Sequence, residues 1–264
     1  MARISVLMGI YNCEAYLQQA LDSLYGQTYQ DFEIILCDDS STDSTWEIAS
    51  RNAAAHSNIV LLRNERNRGL NYTLNRCLEC AKGEFCARMD GDDISLPDRF
   101  EKELRFLEAH PEYAIVSTPM QYFDAGGVFR TGKGGGEPKI ADLPKGTPFC
   151  HAPAMVRREA YEAVGGYSVS DKLLRVEDYH LWIKMYSKGY KGYVLEEPLY
   201  MMRDDRNAVG RRTLKARLNE ARVKAIAIRT FRLPVFNYLY CIKPIILVFL
   251  PSGIYSALRR RKHG

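Results

Sequence analysis

Residues 85–93 read Phe85-Cys86-Ala87-Arg88-Met89-Asp90-Gly91-Asp92-Asp93, a largely apolar run that passes directly into three carboxylates within four positions. The run 85–89 has the length and composition of a buried β-strand. Clustered carboxylates repel one another unless a cation neutralises them, and oxygen ligands suit Mg²⁺ or Mn²⁺. The stretch therefore predicts a strand whose carboxyl end carries a metal-binding turn, in which Gly91 permits tight backbone bending. An Asp-rich turn that caps the following helix is the alternative interpretation.

Strand-like and helix-like runs alternate on both sides of this turn. The predicted elements are, in chain order, strand 4–8, helix 15–24, strand 32–37, a helix from about 44, strand 59–62, helix 70–81, strand 85–89 and a helix at about 97–109. Four strand–helix units predict a parallel, doubly wound α/β sheet. Ligands of such sheets bind beyond the carboxyl ends of the strands, so loops 9–12, 38–41 and 90–93 should share one crevice.

Weaker local signals describe the rest of the chain. Ser44-x-x-Glu47 predicts a capping box at the second helix. Two short strands are expected at 113–117 and 120–123, and the Gly-, Lys- and Pro-rich segment that follows, 125–145, predicts a long mobile loop. Later helices are predicted at 158–164, 178–187 and 211–229.

A second acidic pair, Glu177-Asp178, stands at the start of the predicted helix 178–187. One of these carboxylates could act as a general base. Favourable placement against the helix dipole is the alternative reason for acids at this position, and the two can hold together.

Two loops carry polar groups suited to a nucleotide. Asp38-Asp39 ends the second strand, where a carboxylate can accept a hydrogen bond from a base, although helix capping would also explain it. Asn67-Arg68-Gly69 precedes the third helix; Gly69 would let the backbone approach a ligand, and Arg68 could reach a phosphate.

The charge of the chain is divided unevenly. Within the 264 residues and overall charge of +5, residues 211–264 carry thirteen Lys or Arg against Glu220, so this tail is +12 and the preceding body −7. Such a tail indicates a polyanionic partner.

The apolar stretch of this tail, 235–257, is interrupted by Lys243, Pro244 and Pro251 and is too short to span a bilayer. It favours a monotopic anchor on an anionic leaflet over nucleic acid, the alternative being packing on the body or on a second subunit as a homodimer.

Cysteine usage points to a reducing compartment. Seven cysteines form an odd, irregularly spaced set, and the N-terminal residues lack the apolar stretch of a signal peptide. Cys77-x-x-Cys80 lacks a second pair to complete a zinc site, so we interpret these thiols as packing residues and expect a cytoplasmic protein.

In chain order these motifs resemble the family 2 inverting glycosyltransferases of GT-A fold, over roughly residues 1–205. The matching residues are Ser5-Val6-Leu7-Met8 through Tyr11-Asn12, Phe32-Glu33-Ile34-Ile35, Asp38-Asp39-Ser40-Ser41-x-Asp43, Asn67-x-Gly69, Asp90-Gly91-Asp92-Asp93 and Glu177-Asp178-x-x-Leu181-Trp182. The resemblance implies a mixed α/β sheet flanked by helices. It divides the chain into a catalytic domain, 1–210, with a nucleotide-binding half, 1–120, and an acceptor-binding half, 121–210. A basic, partly apolar helical extension, 211–264, follows.

The resemblance also implies roles for the donor-side residues. Tyr11 would lie against the base and Asp39 at its edge, with Asn67, Arg68 and Gly69 nearby. Asp90 would hold ribose and metal, and Asp92 would be the direct ligand of Mn²⁺ or Mg²⁺.

On the acceptor side, Asp178 matches the base that deprotonates the acceptor hydroxyl, with Glu177 as the second candidate. His151, Trp182 and either Arg157 or Arg158 would flank the acceptor. Segment 134–148 would form part of a flexible loop near the donor.

Two departures from the family pattern concern the diphosphate. Many relatives have Pro where this chain has Met8-Gly9, and they carry Tyr-Arg-x-His where it reads Tyr200-Met201-Met202-Arg203. We expect Arg203 to bind the diphosphate in place of the missing His.

The resemblance implies transfer of a sugar from a nucleotide-diphosphate donor, with UDP favoured, to a hydroxyl of a lipid-linked glycan acceptor. The enzyme would work in surface-polysaccharide assembly at the inner face of the cell membrane. A dehydrogenase is excluded because no Gly-x-Gly-x-x-Gly follows the first strand. A sugar nucleotidyltransferase, which would need a Gly-rich, Arg-containing loop there, is disfavoured, and a non-catalytic membrane-associated binding module remains the alternative.

Overall fold

The computed structural model describes residues 2–204 and 213–246. Its strands are β1 (Ile4–Ile10), β2 (Phe32–Asp38), β3 (Ile59–Arg63), β4 (Phe85–Asp90), β5 (Ile94–Ser95), β6 (Ile115–Ser117), β7 (Met120–Asp124), β8 (Gly127–Thr131), β9 (Met155–Arg157), β10 (Gly192–Val194) and β11 (Tyr200–Arg203). Its α-helices are α1 (Leu17–Tyr25), α2 (Thr45–Ala55), α3 (Leu70–Cys80), α4 (Arg99–Ala109), α5 (Arg158–Val164), α6 (Glu177–Ser187), α7 (Leu214–Thr230) and α8 (Leu239–Ile246). Three short 3₁₀ segments cover Ile140–Lys145, Asp171–Leu173 and Val235–Tyr238.

Seven strands form the main sheet, in the order β10-β6-β9-β4-β1-β2-β3. The strands of the four strand–helix units, in the order β4-β1-β2-β3, are parallel as predicted. β9 runs antiparallel to both β4 and β6, and no α-helix lies between β8 and β9. The chain instead enters β9 beside the carboxyl end of β4, where the Arg88 N–H donates to the Ala154 carbonyl at 2.9 Å. The sheet is therefore mixed, as the resemblance implied.

Alternation along β1 explains the layered packing. Val6 and Met8 pack into the core beneath α1 and α4, whereas Leu7 faces the opposite core beneath α3, α5 and α6. Both faces of the strand are thus buried, which is why its sequence is a continuous apolar run. At Gly9 a Cβ would lie 3.1 Å from the Leu70 side chain, so glycine at this position lets α3 pack closely on the strand.

The second sheet, in the order β5-β11-β7-β8, positions the acidic turn. β11 pairs in parallel with β7 and antiparallel with the two-residue strand β5 that follows the turn. The expected mobile loop 125–145 is ordered instead: residues 127–131 form β8, and Gly136 exchanges two backbone hydrogen bonds with Val194. Gly126 and Gly127 supply the tight turn of a hairpin rather than a disordered linker.

The capping box at α2 is also a wrong prediction, because the Ser44 side chain makes no capping hydrogen bond. Two carboxylates accept hydrogen bonds from the backbone N–H groups at the start of α2 instead. Asp43 Oδ1 accepts from the Thr45 N–H at 3.0 Å, and Glu14 Oε2 accepts from the Ser44 N–H at 2.9 Å.

Helix α7, the first helix of the predicted extension, packs on the body of the protein. Its Val223 and Ala227 join a cluster with Val176 and Ile183 of the α6 region. Within residues 2–204 and 213–246, no helix is both long and apolar enough to cross a bilayer. Residues 211–212 of the predicted helix, residues 247–257 of the predicted anchor and the basic cluster 259–262 lie outside the described residues.

The cysteines behave as packing residues. All seven are free, and Cys77 and Cys86 are fully buried in the core. Cys77 lies on the interior face of α3, and Cys80, which is partly buried, is the last residue of that helix.

Candidate active site

The first two loops at the carboxyl edge of the sheet are hydrogen-bonded to each other. Asn12, in the left-handed region at φ +47°, accepts from the Thr42 N–H through Oδ1 at 2.9 Å, and its own N–H donates to Ser41 Oγ at 3.0 Å. Tyr11, next to Asn12, leaves 47% of its surface exposed. An exposed ring on an anchored loop is suited to stacking on a planar ligand.

Asp39 joins the second loop to the third. Its Oδ1 accepts from the Arg68 N–H at 2.8 Å and from Asn64 Nδ2 at 2.6 Å, while its Oδ2 accepts from the Gly69 N–H at 2.8 Å. Gly69 has a φ of +84°, which favours glycine at the start of α3. The structure thus brings Asp39, Arg68 and Gly69 together, with Asn67 exposed in the same loop. Asp39 holds this loop in place, and only its remaining lone pairs are open to a base.

The acidic turn begins beside a buried cation. Arg88, only 1% exposed, reaches forward from β4 and places Nη2 2.5 Å from Asp90 Oδ1. The Asp90 N–H donates to the hydroxyl of Tyr200 on β11 at 3.1 Å. Sequence reasoning missed Arg88 and Tyr200. The available signal was a lone charged residue inside an otherwise apolar strand, which needs a buried partner.

Gly91 is required for close packing rather than for a bent backbone. Its φ is not positive, but a Cβ at this position would lie 2.9 Å from both Cys13 Sγ and Ile10 Cγ2. The turn therefore lies directly against the first loop, which brings the acidic turn and loop 9–12 into one crevice as predicted.

The three acids of the turn have different surroundings. Asp93 is 3% exposed and accepts from the Arg203 N–H at 2.8 Å, so it ties the turn to β11. Burial, followed by repulsion from Asp90 and Asp92, raises the pKa of Asp93 to about 8. Asp92, in contrast, is exposed; desolvation and then the Asp90 charge raise its pKa above the ordinary value.

A divalent metal fits Asp90 and Asp92. Two neighbouring carboxylates that repel each other are stabilised by a cation, and Mg²⁺ or Mn²⁺ is commonly held by one or two carboxylates plus substrate phosphates and water. Within the part of the chain that the structure describes, no three His, Cys, Asp or Glu side chains converge as a complete metal site. Asp90 and Asp92 are carboxylates, the ligand type that Mg²⁺ and Mn²⁺ take from proteins.

Arg203 braces the turn from β11. Its Nε donates to the Asp92 carbonyl at 3.0 Å and its Nη2 to Gln19 Oε1 at 2.7 Å. The guanidinium lies 3.9 Å from the ring centre of Tyr16 and 4.5 Å from that of Phe123. These contacts fix the cation beside the backbone of the acidic turn, and its contact with a diphosphate stays a prediction.

The second acidic pair opens α6. Burial raises the pKa of Glu177, and the backbone groups of Glu177, Arg175 and Val176 and the charge of Arg88 oppose that rise. Arg175 adopts φ +66°, a strained conformation for a residue other than glycine. Burial, and then the Glu177 charge, raises the pKa of Asp178 to about 7. A carboxyl group with such a pKa is poised to accept a proton near neutral pH.

Arg88 connects the two acidic sets. Burial raises the pKa values of Asp92, Glu177 and Asp178, and in all three cases the positive charge of Arg88 opposes that rise. The acidic turn and the start of α6 thus lie around one buried guanidinium. A bound donor at the turn and an acceptor at Asp178 would meet in this region.

The acceptor-side aromatic residues lie beneath the site. His151 Nε2 and the Tyr167 hydroxyl are 2.8 Å apart, and burial, followed by the Arg88 charge, lowers the pKa of His151 well below its ordinary value. Trp182 is fully buried, edge-to-face with Phe149. It therefore supports α6 from the core, and its indole N–H has no hydrogen-bond partner among the described residues.

Arg157 and Arg158 do not flank the acceptor. Arg157 pairs with Phe85, the first residue of β4, and its guanidinium donates to the Leu107 carbonyl at 2.6 Å. Arg158 Nε donates to the Gly83 carbonyl at 2.8 Å. Both lie at the amino end of β4, at the opposite end of the strand from Asp90, because β9 runs antiparallel to it.

A cavity of about 400 Å³ opens beside Asp178, between the start of α6 and helix α7. Gly146 and Thr147, from the segment predicted to form a flexible loop near the donor, contribute to its lining. The C-terminal extension therefore supplies one wall of a space that reaches the candidate base.

Family models match most of the chain. The model described as Glycosyl transferase family 2 matches residues 5–165, and the one described as Glycosyl transferase family group 2 matches residues 87–257. The chain is 40% identical over 261 residues to the putative glycosyltransferase EpsE of Bacillus subtilis, covering 98% of this chain and 94% of that protein. It is 32% identical to the amylovoran biosynthesis glycosyltransferase AmsE of Erwinia amylovora, covering 79% of each.

A third relative is the UDP-Glc:alpha-D-GlcNAc-diphosphoundecaprenol beta-1,3-glucosyltransferase WfaP of Escherichia coli, 30% identical over 72% of this chain and 73% of that protein. Among solved structures, S. aureus TarS 1-349 in complex with UDP-GlcNAc superposes with a TM-score of 0.69 and 21% identity, covering 86% of this chain and 66% of that chain. The mannosyltransferase PcManGT from Pyrobaculum calidifontis, in complex with GDP-Man and Mn2+, gives 0.68 and 21%, covering 98% and 80%. These structural similarities confirm the GT-A-like mixed α/β fold.

Proposed function

Because the chain belongs to glycosyl transferase family 2 and is a glycosyltransferase, we propose that it is an inverting enzyme that transfers a hexosyl or N-acetylhexosaminyl group from a UDP-sugar. The acceptor is a hydroxyl of a lipid-linked glycan in surface-polysaccharide assembly. The observation that carries the proposal is the pair of acidic sets around buried Arg88, one packed against loop 9–12 and the other containing Asp178, whose pKa is raised to about 7.

Donor binding uses the loops at the carboxyl edge of the sheet. The exposed ring of Tyr11 stacks on the base, and the loop held by Asp39 presents Arg68 and Gly69. UDP is favoured because the relative WfaP is a UDP-Glc-dependent glucosyltransferase and the structurally similar TarS forms a complex with UDP-GlcNAc. Asp90 contacts the ribose at the end of β4.

Asp92, with Asp90, holds Mn²⁺ or Mg²⁺, which when bound offsets the negative charge that develops on the leaving diphosphate. A neighbouring fold with Mn2+ and GDP-Man supports this assignment. Arg203, fixed beside the turn, adds positive charge on the same side.

The chemistry is carried by Asp178. Its carboxylate takes the proton of the acceptor hydroxyl while that oxygen attacks the anomeric carbon from the face opposite the diphosphate. The new glycosidic C–O bond forms as the bond to the diphosphate oxygen breaks, and the nucleoside diphosphate leaves with the electron pair. One displacement inverts the anomeric configuration. The negative charge of Glu177, the first residue of α6, adds to the effect of burial in raising the pKa of Asp178.

The end of the described chain supports docking on the cytoplasmic face of the cell membrane. Val235 and Phe236 are 81% and 66% exposed, and Leu239, Ile242 and Ile246 continue an exposed apolar surface along α8. Isolated apolar side chains need no explanation, but a contiguous set on one short helical segment does. With the basic residues of the tail, this surface suits an anionic leaflet.

The first test is thermal unfolding of the full chain with UDP, GDP, dTDP or CMP, each with and without Mn²⁺. Ligands that bind the native state raise the unfolding temperature by mass action. We expect stabilisation by UDP that grows with Mn²⁺. The absence of a shift with every nucleotide would contradict the proposed donor site.

A further inference from the structure

Helix α4, which follows the acidic turn, carries an ion pair that lies entirely inside the core. Arg99, the first residue of the helix, and Glu103, one turn later, are both 0% exposed. Arg99 Nε donates to Glu103 Oε2 at 3.1 Å. Neither residue belongs to a motif of the sequence, and fully buried arginine and glutamate side chains are rare in proteins.

This ion pair is not explained as a source of stability. Taking two charges out of water costs several kcal/mol for each charge, and their attraction offsets that cost only when their remaining donors and acceptors are also satisfied. Arg99 Nη1 and Glu103 Oε1 are buried, and neither has a hydrogen-bond partner among residues 2–204 and 213–246. Apolar side chains of similar volume would stabilise the core as well or better. The pair therefore calls for another role.

The Arg99 guanidinium contacts two groups that hold Asp90. Its Nη2 donates to the Arg88 carbonyl at 3.0 Å. It also lies 5.1 Å from the ring centre of Tyr200, within the range at which a cation is attracted to an aromatic face. Arg88 contacts Asp90 Oδ1 through its own guanidinium, and the Tyr200 hydroxyl accepts from the Asp90 N–H. Arg99 therefore lies behind both contacts that fix the first acid of the turn.

The start of α4 is itself fixed to the strand that follows the turn. Gln27 Oε1 accepts from the Phe100 N–H at 3.1 Å, and Gln27 Nε2 donates to Ser95 Oγ at 3.1 Å. Ser95 belongs to β5 and pairs with Tyr200 of β11. These contacts hold Arg99 in one place relative to the groups it contacts.

We propose that Arg99 and Glu103 are positioning residues for Asp90. Glu103 orients the Arg99 guanidinium. That guanidinium holds the Arg88 carbonyl and the Tyr200 ring, and these two residues in turn fix the backbone and the carboxylate of Asp90. Neither member of the ion pair touches the metal or the donor. The inference rests on the proposed function, in which the acidic turn binds Mn²⁺ or Mg²⁺.

The test measures Mn²⁺ binding by the full chain after the ion pair is made neutral. The double variant Arg99→Met, Glu103→Met leaves no unpaired charge in the core, so the fold should be kept. Its apparent Kd for Mn²⁺ at a fixed UDP concentration should rise roughly tenfold or more, as is typical when support for a metal ligand is removed. Electron paramagnetic resonance of unbound Mn²⁺ measures this affinity. UDP binding in EDTA, measured by calorimetry, should equal that of wild type because the base-binding loops are unchanged.

The matched control is the double variant Glu101→Gln, Arg105→Gln. These two residues form an ion pair of the same spacing on the same helix, with Arg105 Nη2 2.8 Å from Glu101 Oε1. Their side chains are 42% and 76% exposed, and the pair has no contact with the acidic turn among its hydrogen bonds in the described chain. This variant should bind Mn²⁺ and UDP as wild type does.

Glu103→Gln separates positioning from folding. The amide oxygen can still accept from Arg99 Nε, so the guanidinium keeps its orientation, but its buried charge loses the counter-ion. This variant should unfold at a lower temperature than wild type and still bind Mn²⁺ with nearly wild-type affinity. The double Met variant should show the reverse pattern. If the loss of Mn²⁺ affinity followed the unfolding temperature across these variants, the ion pair would be structural only and the inference would be wrong.

Tyr200→Phe tests one of the two contacts with the ion pair intact, and it decides the question even if the double Met variant fails to fold. It keeps the ring beside Arg99 and removes the hydroxyl that accepts from the Asp90 N–H. Mn²⁺ affinity at fixed UDP should fall, by less than in the double Met variant. Wild-type affinity in either variant would overturn the inference. Failure of the proposed function has a different signature, because wild type itself would then show no Mn²⁺-dependent stabilisation by UDP.

Discussion

Arg88 Nη2 lies 2.5 Å from Asp90 Oδ1, and this ion pair joins a guanidinium that is 1% exposed to a carboxylate that is 32% exposed. The buried partner cannot be solvated, whereas the carboxylate still faces the crevice. Arg88 therefore fixes the direction of Asp90 and places a permanent positive charge between the acidic turn and Asp178. The same side chain that orients Asp90 also limits how far burial raises the pKa of Asp178.

We predict that Arg88→Met lowers sugar transfer by at least roughly 100-fold, since an oriented carboxylate and a nearby positive charge are both lost. The residual activity should also have an altered pH dependence. Without the opposing charge, the pKa of Asp178 rises further, so the acidic limb of the kcat/KM profile moves to higher pH. A fall in activity with an unmoved pH profile would mean that Arg88 acts through folding alone.

The pH dependence of the wild-type enzyme should follow Asp178. The base must be ionised, so activity should rise through about pH 7, the value to which burial raises its pKa. Asp178→Asn should lower transfer by roughly a factor of 10³ while leaving UDP binding intact. The measurement is kcat/KM from pH 5 to 9. If Asp178→Asn kept activity comparable to that of wild type and the same acidic limb, the general base would be another residue.

The stability effect of Asp178→Asn has the opposite sign to its effect on activity. A carboxyl group whose folded pKa is raised binds more protons in the folded than in the unfolded state between its two pKa values, so stability from this group falls as pH rises through about 7. The variant should therefore unfold at a higher temperature than wild type at pH 8, and this advantage should shrink towards pH 4. Thermal unfolding at both pH values checks the sign; a lower unfolding temperature at pH 8 contradicts it.

The acids of the turn should separate into two classes on substitution. Asp92→Asn should remove the Mn²⁺-dependent part of the stabilisation by UDP and lower transfer by roughly 100-fold, since a charged ligand becomes neutral. Asp93→Asn should retain most activity. Its amide oxygen can still accept from the Arg203 N–H, which avoids the cost of about 1–3 kcal/mol for an unsatisfied buried donor.

Asp93→Ala is the corresponding disruptive variant, because it leaves that N–H without its acceptor. It should lower the unfolding temperature while Asp93→Asn does not. If Asp92→Asn and Asp93→Asn lost the Mn²⁺-dependent stabilisation by UDP to a similar extent, the metal would be bound by Asp90, Asp92 and Asp93 together.

The sequence predicted the elements with strong periodicity because local signals determine them. The strands at 4–8, 32–37 and 85–89 are continuous apolar runs that only a buried parallel sheet accommodates, and their crevice follows from topology. The direction of β9 was not predictable in the same way. The direction depends on where the long connection between β8 and β9 returns to the sheet, and no local sequence pattern predicts that position.

The site was partly predictable for a related reason. Motifs located Asp39, Asp90 and Asp178, but not what each carboxylate contacts. Asp39 accepts three hydrogen bonds from the loop at residues 64–69. Arg88 lies inside a strand and belongs to none of the motifs, so the motifs did not indicate it. Such contacts join positions far apart in sequence, so only the fold reveals them.

The exposed apolar surface at the end of the described chain yields a test of membrane docking. Phe236→Glu combined with Leu239→Glu should weaken binding to anionic vesicles by at least tenfold, because two exposed apolar side chains are replaced by charges that the leaflet repels. Val128→Glu, which adds the same charge at an exposed apolar position on β8, is the control and should bind normally. Sedimentation with vesicles of anionic or neutral lipid measures the effect, and raising the salt concentration should weaken wild-type binding. If the double variant binds vesicles as wild type does but changes the size of the protein in solution, the surface is an interface between two copies of the chain.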